Sequence, residues 1–154
     1  MRLVVAVVGK ARNAALGEVI RDYETRAARY WPLDVHEVRE ERATAGEIEK
    51  VKVREGARLT DKVPPRAKTV VCEADGESLD SLEFAKLLQN AREQDRDLAF
   101  LIGGAFGIAS EVAQRSTMRL SLAPWTLPHE IARLVLAEQI YRAGTIVRGE
   151  PYNK

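Results

Sequence analysis

Three short stretches place groups capable of chemistry at the ends of apolar runs. The first, AFLIGGAFG at Ala99–Gly107, runs a short apolar segment into paired glycines. Gly103 and Gly104 let the backbone approach a ligand closely and adopt positive φ. The spacing is not G-x-G-x-x-G, and no Lys-Ser/Thr follows, so neither a dinucleotide fingerprint nor a phosphate loop is indicated. The second, LAPWTLPHE at Leu122–Glu130, sets Ala123, Trp125, Thr126 and Leu127 around two prolines. Pro124 and Pro128 fix two φ angles, and Leu127, which precedes a proline, is biased toward an extended backbone. A loop so constrained loses little entropy on receiving a ligand, and its unpaired backbone groups suit an adenine edge. The third, TVVCEADG at Thr69–Gly76, carries the single cysteine, Cys72. With no base nearby in sequence, Cys72 reads as a small buried residue rather than a nucleophile. Taken singly, the glycine turn serves equally well as a tight connection, and the proline loop better as a stiff connector.

The remaining reactive side chains do not assemble into a familiar catalytic set. Nothing resembles a Ser-His-Asp, Cys-His or paired-carboxylate arrangement, so an enzyme of this sequence would draw its reactivity from a cofactor. Two histidines, His36 and His129, are too few for a metal site without several carboxylates, and no metal is expected. His36 falls in a strand pattern. His129 falls in the first turn of a helix beside the proline loop, a more suggestive place. Glu138 and Arg142 form an i, i+4 pair, and the tail RGEPYNK offers Arg148, Tyr152 and Lys154 for stacking and phosphate contact.

The elements that would position these groups alternate in type. Strands are predicted at Leu3–Val8, Asp34–Val38, Thr69–Cys72, Leu98–Ile102 and Met118–Leu122. Most are continuous apolar runs, as expected of strands covered on both faces. Helices are predicted at Ala14–Tyr30, Ala45–Leu59, Ser81–Arg92 and His129–Val147. Asp80 with Glu83 comes close to a capping box for the third. In the last, Ile131, Leu134, Val135, Ile140 and Tyr141 share a face; Pro128 suits its start, Gly149 its exit and Pro151 a stop. Strands alternating with helices imply one α/β domain, residues 1–154, with a mainly parallel sheet. Composition agrees: 45% hydrophobic, 31% charged and a net charge of +1 describe an ordinary globular chain with no general case for nucleic acid or membrane. Residues 39–68 are modestly basic, which a solvated helix face explains better than an RNA footprint. The opening LVVAVVG is too short to span a bilayer and lacks a signal-peptide pattern, and one cysteine suits a reducing compartment, so a cytoplasmic protein is expected.

Taken together, FLIGGAFG, LSLAPWTLPHEIARLVLAEQIYRA and GEPYNK resemble the large-subunit ribosomal RNA pseudouridine N3-methyltransferase H family of the SPOUT superfamily. The likeness extends to LVVAVVGK at the start and GESLDSLEFAKLL in the middle. It implies an α/β SPOUT fold whose C-terminal chain passes through a trefoil knot, a feature that pattern reasoning alone would not propose. It implies a homodimer, S-adenosylmethionine held in the knot loops, and ribosomal RNA bound across the subunit interface. Carried over by position, the cofactor pocket comprises Cys72, Gly104 and Ala123, Pro124, Trp125, Thr126, Leu127 and Pro128. The chemistry implied is methyl transfer to N3 of a pseudouridine, which also loses its N3 proton. Arg142 and His129 are the catalytic candidates, and Arg142, Tyr152, Asn153 and Lys154 the RNA-contacting ones.

The chain departs from the family pattern in three places. Pro151-Tyr152-Asn153 stands where the family usually ends Pro-Tyr-His, and Asn cannot accept a proton at neutral pH as His can. Ala105-Phe106 replaces Pro-Glu in the glycine turn. Ala123 and Trp125 replace smaller polar and aliphatic residues. The first departure leaves open a different RNA target, or a dimer that binds RNA or cofactor without turnover.

Overall fold

The computed structural model describes residues 1–153. Five strands form one sheet: β1 (Leu3–Val8), β2 (Leu33–Val38), β3 (Lys68–Ser78), β4 (Leu98–Ile102) and β5 (Met118–Ser121). Their order is β2-β1-β4-β3-β5, and every pairing is parallel. The most apolar runs occupy the centre. β1 and β4 are buried along their whole length, while β2, at an edge, is only partly covered. This is the burial that continuous Val/Leu/Ile runs require when helices cover both faces.

Period-two alternation divides the core into two layers. Leu3, Val5, Val7 and Phe100 face one side with Leu88, Leu136 and Ile140. There lie α1 (Ala14–Ala27), α3 (Ser81–Glu93) and α5 (His129–Val147), with α5 packed between the other two. Ala6, Val8, Val71 and Leu101 face the opposite layer, against Leu59 of α2 (Ile48–Thr60) and Ile108 before α4 (Ser110–Arg115).

Local sequence explains most boundaries. The Asn13 side chain caps α1 by accepting from Leu16 N at 3.0 Å. The capping box at α3 is complete: Asp80 accepts from Glu83 N, and Glu83 accepts from Asp80 N, each at 2.8 Å. Two helices are shorter than the sequence pattern predicts. α1 stops at Ala27, short of Tyr30, because the chain turns to insert Trp31, whose indole N–H donates to Ile140 O at 3.0 Å. α2 starts at Ile48 rather than Ala45, because Gly46 at φ +88° cannot be helical.

β3 is longer than expected, and its extension matters to function. Leu120 of β5 pairs first with Cys72 and then with Glu77, so Glu73–Gly76 loop out of the ladder before the strand resumes. A Cβ on Gly76 would lie 2.7 Å from the backbone carbons of Arg119 and Leu120, so only glycine fits the return. Arg119 clamps the loop by donating to Glu73 at 2.6 Å and Asp75 at 2.8 Å.

α5 is anchored by a buried charge. Arg133, 6% exposed, donates to Glu24 of α1 at 2.7 Å and to Glu37 of β2 at 2.8 Å. Burial works against its charge, but the two carboxylates outweigh it and raise its pKa. Truncating the arginine leaves the mostly covered Glu24 without its cation, while Glu37 stays accessible to water. Arg133→Ala should lower unfolding free energy by about 1–3 kcal/mol in urea titrations.

Candidate active site

Because all five strands run the same way, their carboxyl ends share one edge of the sheet. Ligands in open α/β sheets bind there. A cavity of about 620 Å³ lies at this edge, within the ~300–1,000 Å³ usual for small-ligand sites. Three walls come from the strand ends marked in the sequence: Cys72 with Glu73–Asp75, Gly103–Ala105 with Gly107, and the loop Leu122–Pro128. Of the residues expected at a cofactor, Cys72, Gly104, Ala123, Trp125, Thr126, Leu127 and Pro128 line the cavity. Pro124 lies in the same loop without being part of the lining.

The glycine wall is set by steric necessity. Gly103 backs directly onto Gly107: an added Cβ would sit 2.7 Å from the Gly107 carbonyl carbon. Gly107 itself takes φ +83°, and its N–H closes the turn by donating to Gly104 O at 3.0 Å. Beneath Gly104 lies a feature that sequence reasoning missed. The Glu55 side chain of α2 is buried, with Oε1 accepting from Glu41 N at 3.1 Å and Oε2 2.7 Å from where a Gly104 Cβ would lie. Burial, reinforced by the charge of Glu40, raises its carboxyl pKa above the ordinary 4.5. No local signal marks it, since Glu55 sits among charged residues typical of a solvated helix.

The proline wall is tied to the β3 loop. Ser121 Oγ lies within hydrogen-bond distance of both Ala74 O (2.9 Å) and Ala123 O (2.8 Å). His129 opens α5 at the cavity, with Nε2 3.5 Å from Lys10 O and packed against Gly9. Arg12 and Glu40, paired at 2.9 Å, complete the rim from the far side of β1. These two were also missed, because their part in the site depends on β1 and β2 ending at the same sheet edge as β4.

Cys72 is poorly suited to act as a nucleophile, which must be a thiolate. Its thiol is pushed up to about 12, first by burial and then by the neighbouring charge of Glu73. The described residues hold no group of three or more His, Cys, Asp or Glu suited to a metal ion, and no helix long and apolar enough to cross a membrane.

Arg142 and Tyr152 lie elsewhere. Arg142 is thirteen residues beyond His129 on α5, which at about 1.5 Å per residue puts it roughly 20 Å along the helix. It donates to Glu138 at 2.6 Å, its guanidinium sits 4.8 Å above the Tyr152 ring, and Tyr152 OH donates to the same carboxylate at 3.0 Å. That hydrogen bond with Glu138 raises the Arg142 pKa, while burial is the main cause raising that of Tyr152. Tyr152 falls in a short 3-10 turn, Pro151–Asn153. The Asn153 side chain and Lys154 lie outside the described residues.

The arrangement is that of an α/β protein with a ligand cavity built from backbone loops and carboxylates rather than from reactive side chains. Comparison with known proteins gives it a family. A family model described as "Predicted SPOUT methyltransferase" matches residues 1–153. The chain is 54% identical to ribosomal RNA large subunit methyltransferase H of Gemmatimonas aurantiaca, over 154 residues and the full length of both. It is 42% identical to the protein of the same name from Anaeromyxobacter sp. (strain K), again over both whole chains. Among solved structures it resembles a probable methylase family protein from Haemophilus influenzae Rd KW20, with a TM-score of 0.58 and 12% identity, covering 99% of this chain and 70% of that one; this is a likeness of fold alone. The chain belongs to the ribosomal RNA large subunit methyltransferase H family of SPOUT methyltransferases.

Two titrations probe the site's electrostatics. With its thiol held so high, Cys72 should react with a maleimide at pH 8 at least about 100-fold more slowly in the folded protein than in urea. Glu55 costs stability once ionised: its folded pKa is raised, so its contribution is complete below 4.5 and is lost as pH rises through the folded value. Glu55→Gln should therefore match wild-type stability at pH 4, gain on it as pH rises through the folded value, and keep a constant advantage above it, measured by thermal melts from pH 4 to 8.

Proposed function

We propose that this protein transfers a methyl group from S-adenosylmethionine to N3 of a pseudouridine in large-subunit ribosomal RNA, as a cytoplasmic homodimer. The observation that carries the proposal is the convergence of three strand-end loops on one cavity, in a chain 54% identical over its whole length to a ribosomal RNA large subunit methyltransferase H.

The cavity fits the cofactor. Its volume suits a nucleoside joined to an amino acid, and its glycine turn admits close backbone contact. The proline loop offers backbone donors and acceptors for an adenine edge. Glu73, Asp75 and Glu130 in the lining favour a cation, as the sulfonium centre is. When bound, S-adenosylmethionine supplies an electrophilic methyl carbon on sulfur. The chain's part is then to bind, align and exclude water, holding nucleophile, methyl carbon and sulfur in line. Loss of the N3 proton leaves negative charge on the base, which a guanidinium can stabilise.

Arg142 is the candidate for that role, and its distance from the cavity of its own chain requires a partner subunit to bring it there. α5 carries a face suited to such pairing. Ile131, Leu134 and Val135 are half-buried yet belong to neither core layer, and this face continues to Glu138 and Arg142. Tyr152, beside Arg142, joins the same RNA-contacting group. The knot belongs to the proposal as well: the close passage of Gly76 over β5 and the return of α5 between α1 and α3 support it.

Mapping ribosomal RNA modifications by mass spectrometry in cells lacking the gene tests the assignment. Loss of one methylpseudouridine is expected, and an unchanged level refutes it. Arg142→Ala should lower kcat by about 100- to 1,000-fold with cofactor affinity unchanged. Mixed with chains carrying Gly103→Ala, it should regain activity, because a mixed dimer has one cavity paired with one arginine. The second reading, favoured by Asn153 in place of the family's histidine, is binding without turnover. Cofactor binding by calorimetry with no transfer to unmodified ribosomes, restored by Asn153→His, would establish it.

A further inference from the structure

Resting on that reading, we infer that Trp125 is the platform on which an unpaired base of the acceptor RNA stacks as it enters the cavity. Trp125 lines the cavity yet is 77% exposed, the most exposed large apolar side chain among the described residues. It lies between Pro124 and Pro128 on a loop braced through Ser121, so the backbone that carries the ring is constrained before any ligand arrives. An indole mostly in water at the lip of a site is poorly placed to wall a buried cofactor, which would sit deeper against the glycine turn. It is well placed for the second reactant, which must arrive from solvent and present its base to the cavity. The 75%-exposed side chain of Arg12 lines the same cavity. An exposed aromatic ring and a guanidinium on the rim of one cavity are the chemistry that recognises single-stranded nucleic acid: every base has a face to stack, and the cation answers the phosphate. A double-stranded segment, with its bases already stacked on one another, offers no such face.

The protein reports on this directly, because its only other tryptophan, Trp31, is 1% exposed in the core. The emission of free dimer should be red-shifted and strongly quenched by acrylamide. A single-stranded dodecauridylate should shift it to the blue and protect it, and a duplex of equal length should not. S-adenosylhomocysteine alone should leave the acrylamide quenching nearly intact. With ribosomes from cells lacking the gene as substrate, Trp125→Ala should raise KM about 5- to 100-fold. Trp125→Phe should retain most of the affinity for ribosomes, and for Trp125→Ala the change in KM should exceed any change in cofactor Kd. The inference falls if the free dimer already shields the ring, which would place it against the second subunit. It also falls if the cofactor alone protects the ring or Trp125→Ala loses cofactor affinity at least as much as it raises KM, which would make it a pocket wall, or if KM is unchanged. Failure of the methylation reading looks different: wild type then transfers nothing to ribosomes, while the single-strand fluorescence response still decides the role of Trp125.

Discussion

Parallel pairing of all five strands is the constraint on which the rest of the structure depends. Each strand must be followed by a crossover, and every crossover begins at the same edge of the sheet. Loops far apart in sequence, near residues 9, 73, 104 and 123, are thereby forced into one neighbourhood. Central strands buried on both faces give those loops a base that does not give way. The loops add their own rigidity through backbone contact at Gly103, the Arg119 clamp and two prolines. A site made this way needs no unusual side chain, because its specificity lies in where the backbone is held.

Charge is distributed along α5 so that one helix serves two ends. Near its start, Arg133 is neutralised by Glu24 and Glu37 and fixes the helix beside the cavity. Farther along, Glu138 gathers Arg142 and Tyr152, folding the chain end back onto the helix. The half-buried Leu134 and Val135 lie between these groups, with Ile131 just before Arg133. A site that joins a cavity from one chain to an arginine from another therefore needs only that two such helices meet.

Much of this was legible in the chain because the signals were local. Continuous apolar runs marked the central strands, Asp80 with Glu83 marked a helix start, and Pro128 with Gly149 bracketed α5. The cavity loops were legible too, since Gly and Pro constrain a backbone wherever they stand. What escaped depends on partners distant in sequence. β3 was expected to end at Cys72, because the polar segment after it resumes pairing only once β5 lies alongside. The six-residue α4 carries no capping side chain to announce it. On α5 the large apolar residues suggested the core face, but the fully buried positions include Ala132, Ala137, Ala143 and Gly144, small residues that let the helix approach its neighbours. Glu55 fell in a segment read as a solvated helix face, and nothing local singled out Arg133; remote contacts make both of them buried charges.

The position of α5 also bears on how the protein is made. The helix lies against α1 and α3 in the same core layer, and its N-terminal loop forms one wall of the cavity. Contacts between α5 and α1 join residues more than 100 positions apart, as Arg133 does with Glu24. A nascent chain that has released everything up to β5 still has an uncovered apolar sheet face and an unfinished cavity. Folding to a ligand-competent state must wait until the last helix leaves the ribosome, and such long-range closure is intrinsically slow. During that interval the exposed Val and Leu rows of the central strands are the segment most in need of protection from association.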